Sequence, residues 1–118
     1  MNKNLLVDRS YDFALRIVKL CKTLREKHEY VFANQILKCG TSIGANLAES
    51  RAAQSRADFL TKVSIAFKEC MECHFWIRLL MDSETIPRDQ LESLLDECEE
   101  LNKMLAASQK KLRQPAND

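Results

Sequence analysis

Glycine and proline are scarce, with two of each in 118 residues. Tight β-turns draw on both residue types, so a fold of many short strands is excluded. Gly40 and Gly44 are the only glycines. Neither Gly-x-Gly-x-x-Gly nor Gly-x-x-x-x-Gly-Lys can be assembled from them, which excludes a glycine-rich phosphate cradle. No uncharged apolar stretch reaches the roughly 18 residues of a membrane span. The apolar run within Met1–Arg9 is too short for an export signal. An excess of one charge is also missing: 18 Lys plus Arg oppose 17 Asp plus Glu, for a net charge of +1.

What is present describes one globular domain. Hydrophobic residues make up 46% and charged residues 30%, too apolar a mixture for disorder. A chain of this length buries about two-thirds of its unfolded surface and needs no disulfide or metal to fold. Five cysteines, an odd number, in a chain without an export signal predict reduced thiols in a cytoplasmic protein. The domain is expected over residues 1–113, with 114–118 as a frayed tail.

Apolar periodicity predicts four helices. The first runs from Asp8 or Ser10 to Lys27, with Phe13, Ile17, Leu20, Cys21 and Leu24 on one face. The second runs from Phe32 to Ala52 on Ile36, Ile43 and Leu47. Its Gly40, Gly44 and Ala48 recur every fourth residue and predict a close neighbouring backbone, since glycine inside a helix costs about 1 kcal/mol. The third opens at Ser55, with Asp58 in capping-box position. Leu60, Val63, Phe67, Cys70/Met71, His74 and Ile77/Met81 line its expected core face. The fourth follows Ile86-Pro87. Its Leu91, Leu94, Cys98, Leu101, Leu105, Ser108 and Leu112 form a heptad seam. Short connections make this an all-α, antiparallel up-down-up-down four-helix bundle.

Helix 3 carries more apolar surface than one core requires. Ile65, Trp76 and Leu80 point away from the expected core face, and Phe75–Met81 is apolar almost all round. A second apolar face marks an interface, so a homo-oligomer is expected through Ile65, Trp76 and Leu80.

Charge is unevenly spread. Residues 1–30 hold seven basic and four acidic groups; residues 83–118 hold five basic and eight acidic. Arg9, Arg16, Lys19, Lys22, Arg25 and Lys27 spread over the non-apolar arc of helix 1. Such a face can track the phosphates of RNA or DNA. It can equally be a solvated surface, or one that meets the acidic helix 4 of a neighbouring subunit.

Cys70-Met71-Glu72-Cys73-His74 matches the haem-attachment pattern, and with Cys98 it holds the ligand types of a zinc site. Its mid-helix position on a packed face predicts no haem, no stoichiometric metal and no cofactor. Paired carboxylates and a nucleophile elbow are missing, so no enzymatic activity is expected. His28 falls in a charged turn. His74 is expected to be satisfied by a polar neighbour. Asn46, Glu49 and Arg51 follow the small-residue face of helix 2. They are expected to form a polar clamp fixing the bundle, with a ligand or nucleic-acid contact as the alternative.

Gln35-Ile-Leu-Lys-Cys-Gly-Thr-Ser-Ile-Gly-Ala-Asn-Leu-Ala-Glu49 resembles the signature of the four helix bundle protein family, also called the 23S rRNA intervening-sequence proteins. So do Ser55-Arg-Ala-Asp-Phe59, Ser64-Ile-Ala66, Lys68-Glu69 and Glu72-Cys-His-Phe-Trp-Ile-Arg-Leu-Leu80. Ser50 departs from the glycine or equally small residue of many members. A more distant likeness is to the accessory variability protein of diversity-generating retroelements. The resemblance implies a ring-like homopentamer without enzymatic activity. From the retroelement relatives it implies binding to nucleic acid and to a reverse transcriptase.

Overall fold

The computed structural model describes Lys3–Pro115. Its helices are α1 (Lys3–Glu26), α2 (Tyr30–Ser50), α3 (Arg56–Asp82) and α4 (Glu92–Arg113), with a single 3-10 turn at Arg88–Gln90 before α4. No strand occurs among the described residues. No helix among them is long and apolar enough to cross a membrane. Each helix folds back on the one before it, giving a rod 54 × 21 × 19 Å. α2 packs between α1 and α3, and α4 lies on α3, while α1 and α4 touch more sparsely.

The apolar stripes meet along the axis. Phe13, Ile17 and Leu24 of α1 are fully buried, as are Ile36 and Ile43 of α2, Ile77 and Leu80 of α3, and Leu101 and Leu105 of α4. Ile86 and Leu91, from the last connection, close one end of this core. The predicted backbone approach falls between α1 and α2. A Cβ added at Gly44 would lie 3.3 Å from the Ser10 carbonyl oxygen, and one at Gly40 only 2.7 Å from the Ile17 side chain.

Helix ends differ from the periodicity in instructive ways. α1 begins at Lys3, before the expected Asp8 or Ser10, because Leu6 continues the buried stripe by two further turns. α2 occupies 30–50 rather than 32–52. Pro87 precedes the 3-10 turn, and α4 itself starts at Glu92. Ser55 caps α3 as expected: its side chain accepts from the Asp58 N–H at 3.0 Å, while Asp58 Oδ2 accepts from the Gln54 N–H at 3.1 Å. Of the expected tail, 116–118 lie outside the described residues.

Two helix ends close without glycine. His28 (φ 61°) and Glu84 (φ 59°) take the left-handed conformation. The Glu29 N–H donates to Leu24 O (2.8 Å) and His28 N–H to Arg25 O (3.0 Å). Thr85 N–H donates to Leu80 O and Glu84 N–H to Met81 O, both at 3.1 Å. These are Schellman closures, in which glycine is the favoured residue because a Cβ there is strained by about 1–2 kcal/mol.

Two substitutions involving glycine should therefore act with opposite signs. Glu84→Gly relieves the left-handed strain and should stabilise the fold by about 0.5–1 kcal/mol. Gly40→Ala should destabilise it by about 1–2 kcal/mol, because overpacking against buried Ile17 outweighs the gain in helix propensity. Urea midpoints at constant slope measure both.

Candidate assembly and nucleic-acid faces

Two apolar sides of α3 are resolved by burial. Val63, Ala66, Cys70, Cys73, Ile77 and Leu80 form the core side. At about 100° per residue, Phe75 and Leu79 point directly away from it, with Met71 one turn earlier. Their exposures are 58%, 39% and 54%. Leu80, expected at the outer interface, is 0% exposed and belongs to the protomer's own core. The core side is centred between Ile77 and Leu80, so the stripe through Ile65, Trp76 and Leu80 straddles the core's edge. Ile65 is 37% exposed. Trp76 is half-buried at the α2 seam: its ring meets Phe32 edge-on at 6.0 Å and Phe75 at 5.4 Å, and Nε1 donates to Glu72 at 3.2 Å. Met71, expected on the core face, lies on the outer side instead, and Phe75 and Leu79 are outer residues that periodicity did not single out. Their i, i+4, i+8 spacing was the available signal.

The six cations of α1 divide between its flanks. Arg9 grips Glu97 of α4 with two nitrogens, at 2.7 and 3.1 Å. The carboxylate's hydrogen bond raises the Arg9 pKa further. Arg16 donates to Ser93 of α4 at 3.0 Å, and Arg25 to Asn34 of α2 at 2.6 Å. Arg9 thus finds an acidic partner on α4 of its own subunit. Lys19 and Lys22 remain exposed on the outer side, and Lys27 just beyond the helix end. Asp8, Asp12 and Glu26 are exposed on the same helix, so the basic face is interrupted by acidic groups.

Asn46 and Glu49 do not converge. Asn46 Nδ2 donates to Ser42 O of its own helix at 2.8 Å. Glu49 pairs with Lys62 across the α2–α3 seam at 2.8 Å and raises the lysine's pKa through that bond. Arg51 stands exposed just past α2. Among the described residues the buried polar ones are Ser10 and Ser50, each donating to the carbonyl three residues back, at 2.8 and 2.6 Å.

The Cys-x-x-Cys-His run is split by packing. Cys70 and Cys73 are both fully buried. His74 leaves the expected core face for the α4 seam, where Nε2 meets Glu99 at 2.8 Å. Cys70 and Cys98 bring their sulfurs to 3.9 Å, and Cys39 and Cys73 are fully buried with them. Hydrogen bonding to Cys98, then burial, pushes the Cys70 thiol up. Hydrogen bonds to Cys39 and Cys98, then burial, do the same for Cys73. Burial lifts Cys21 to about 11. Among the described residues, no group of three or more His, Cys, Asp or Glu side chains is disposed to hold a metal ion.

A family model described as 23S rRNA-intervening sequence protein matches residues 2–107. A crystal structure of a protein with unknown function from the S23 ribosomal protein family of Bacteroides thetaiotaomicron VPI-5482 aligns with a TM-score of 0.88 and 48% sequence identity. The alignment covers 93% of this chain and 99% of that one. None of the curated proteins compared with the chain matches it.

The cysteines supply a direct check on the packing. All five are buried and free, and nucleophilic attack requires an accessible thiolate. A colorimetric disulfide reagent at pH 8 should label none rapidly in the folded chain and all five in guanidinium. Fast labelling of the folded chain would contradict the buried cluster.

Proposed function

The chain belongs to the 23S rRNA-intervening sequence protein family, and from that premise we propose a non-enzymatic, self-assembling accessory protein that binds RNA or DNA as an oligomer. The outward side of α3 carries the proposal. Phe75 and Leu79 point away from the protomer's core, and an exposed apolar stripe is a signature of association. A second exposed pair, Tyr11 and Leu15, stands one turn apart on α1. α1 and α3 each flank α2, so they lie diagonally across the bundle. A ring with an odd number of subunits needs head-to-tail contacts between two different surfaces. These two patches supply them; the number five comes from the family resemblance.

Nucleic-acid binding then follows from repetition. Lys19, Lys22 and Lys27 make a weak site on one subunit, because each phosphate contact is modest and screened by salt. Several linked copies act on one strand at high effective concentration. The resemblance to retroelement accessory proteins makes a reverse transcriptase the protein partner to test.

A protein-interaction scaffold without a nucleic-acid role is the second reading. The pairing of Arg9 with Glu97, and the polar contacts of Arg16 and Arg25, favour it.

Two experiments test these readings. Light scattering at micromolar concentration should give a multiple of the 13.6 kDa chain, and Phe75→Glu/Leu79→Glu should reduce it to a folded monomer. A parent particle of one chain's mass refutes assembly. For nucleic acid, binding to mixed-sequence RNA should weaken steeply as salt rises. Changing Arg16, Lys19, Lys22 and Arg25 together to Gln should leave the fold and oligomer intact. It should also lower the salt slope by about one for each phosphate that the variant no longer neutralises. If that variant binds RNA and DNA as the parent does, the α1 cations are only a solvated face and the scaffold reading stands.

A further inference from the structure

We propose that the apolar cavity at the end of the bundle holding the α2–α3 connection binds a single-chain anionic amphiphile, of the class of medium-chain carboxylates. All four helices wall this cavity, through Leu6 of α1, Leu47 of α2, Phe59 and Val63 of α3, and Leu112 of α4. Its volume is about 310 Å³. That lies at the small end of the roughly 300–1,000 Å³ of ligand pockets. It suits one hydrocarbon chain and is too small for a two-chain lipid. Walls of this kind give a water few hydrogen-bonding partners, so an apolar guest is preferred inside.

The cavity has a cause in the sequence. The α4 seam runs Leu94, Cys98, Leu101, Leu105 and then Ser108 before returning to Leu112. Ser108 stands where the heptad asks for a large apolar side chain, and it lines the cavity. Ser50, the small buried residue at the end of α2, lines it as well.

Charge at the mouth selects the head group. Arg51 and Lys111, both exposed, line the cavity. Arg56 adds a third cation at this end, where it donates to the Lys111, Leu112 and Gln114 carbonyls and holds the end of α4. Among the described residues, two carboxylates at this end are already engaged: Glu49 pairs with Lys62 at 2.8 Å, and Asp58 accepts from the Gln54 N–H at 3.1 Å. A carboxylate head at the mouth therefore meets cations, with its chain lying among the leucines. A cationic head of the same chain length is repelled.

Isothermal titration with decanoate, below its micellar concentration, tests the proposal on the full chain. Decyltrimethylammonium serves as the cationic control of equal chain length. Saturable binding of one decanoate per chain is expected, on the order of tenfold tighter than the control. Arg51→Glu/Lys111→Glu, both surface changes, should reverse that preference. Ser108→Leu, which completes the α4 heptad, should abolish binding of both amphiphiles while circular dichroism remains helical. The proposal is overturned if decanoate shows no saturable binding, or if the two amphiphiles bind alike. Preference unmoved by charge reversal overturns it too, and that comparison decides the matter even should Ser108→Leu fail to fold.

Discussion

A helix in a four-helix bundle can turn only one side of itself toward the core. α3 is apolar on more than one side, and the rest of the molecule is arranged around that mismatch. Ile77 and Leu80 take the core, fully buried, so helical geometry sends Phe75 and Leu79 to the opposite side. No rotation of α3 improves this, because bringing Phe75 inward would lift Ile77 or Leu80 out. Trp76 sits at the boundary, covered by Phe32 on one side and adjoining Phe75 on the other. The outer stripe is rimmed by charged and exposed Lys68, Glu72 and Arg78. An apolar centre with a polar rim is the anatomy of a protein interface.

Within the protomer, charges join seams more than they stabilise them. The basic N-terminal third and the acidic C-terminal third of the sequence become neighbours once α1 lies beside α4. There Arg9 reaches Glu97 and Arg16 reaches Ser93. This is also the seam where the helices touch most sparsely, so long side chains span a gap that backbone packing leaves. His74–Glu99 and Lys62–Glu49 span the α3–α4 and α2–α3 seams in the same way. Exposed pairs of this kind are screened by solvent and add little to stability. Their effect is on register: Arg9 finds two oxygens of one carboxylate only at one sliding position of α4.

The number and type of helices were legible because a 3.6-residue period leaves little ambiguity over twenty residues. The Ser55 cap and the backbone approach at Gly44 could be read locally, from one side chain and one missing Cβ. Three kinds of feature could not. Helix ends at His28 and Glu84 carry no glycine, so the usual stop signal was missing where the backbone turns left-handed. The core side of α3 was ambiguous because both sides are apolar. Only packing against α2 and α4 shows that Leu80 faces inward and Phe75 outward. The polar set Asn46, Glu49 and Arg51 was legible as a cluster along the chain, yet Asn46 and Glu49 take separate partners. The choice was made by Lys62, a residue on another helix.

The assembly stripe and the cavity lie at different heights on the same helix. Twelve residues separate Val63, which walls the cavity, from Phe75, at the centre of the outer stripe, a rise of about 18 Å. They also face different ways, since Val63 is turned inward among the helix ends. On the proposed assembly, contacts through Met71, Phe75 and Leu79 on one side and Tyr11 and Leu15 on the other would run around the flanks of the rod. The end that carries Arg51 and Lys111 stays clear of the α3 stripe, whereas Tyr11 stands one turn from Val7, which lines the cavity. A ring built by those flanks would repeat the cationic mouth once per subunit. Its α1 contacts would bring a neighbouring copy close to that mouth.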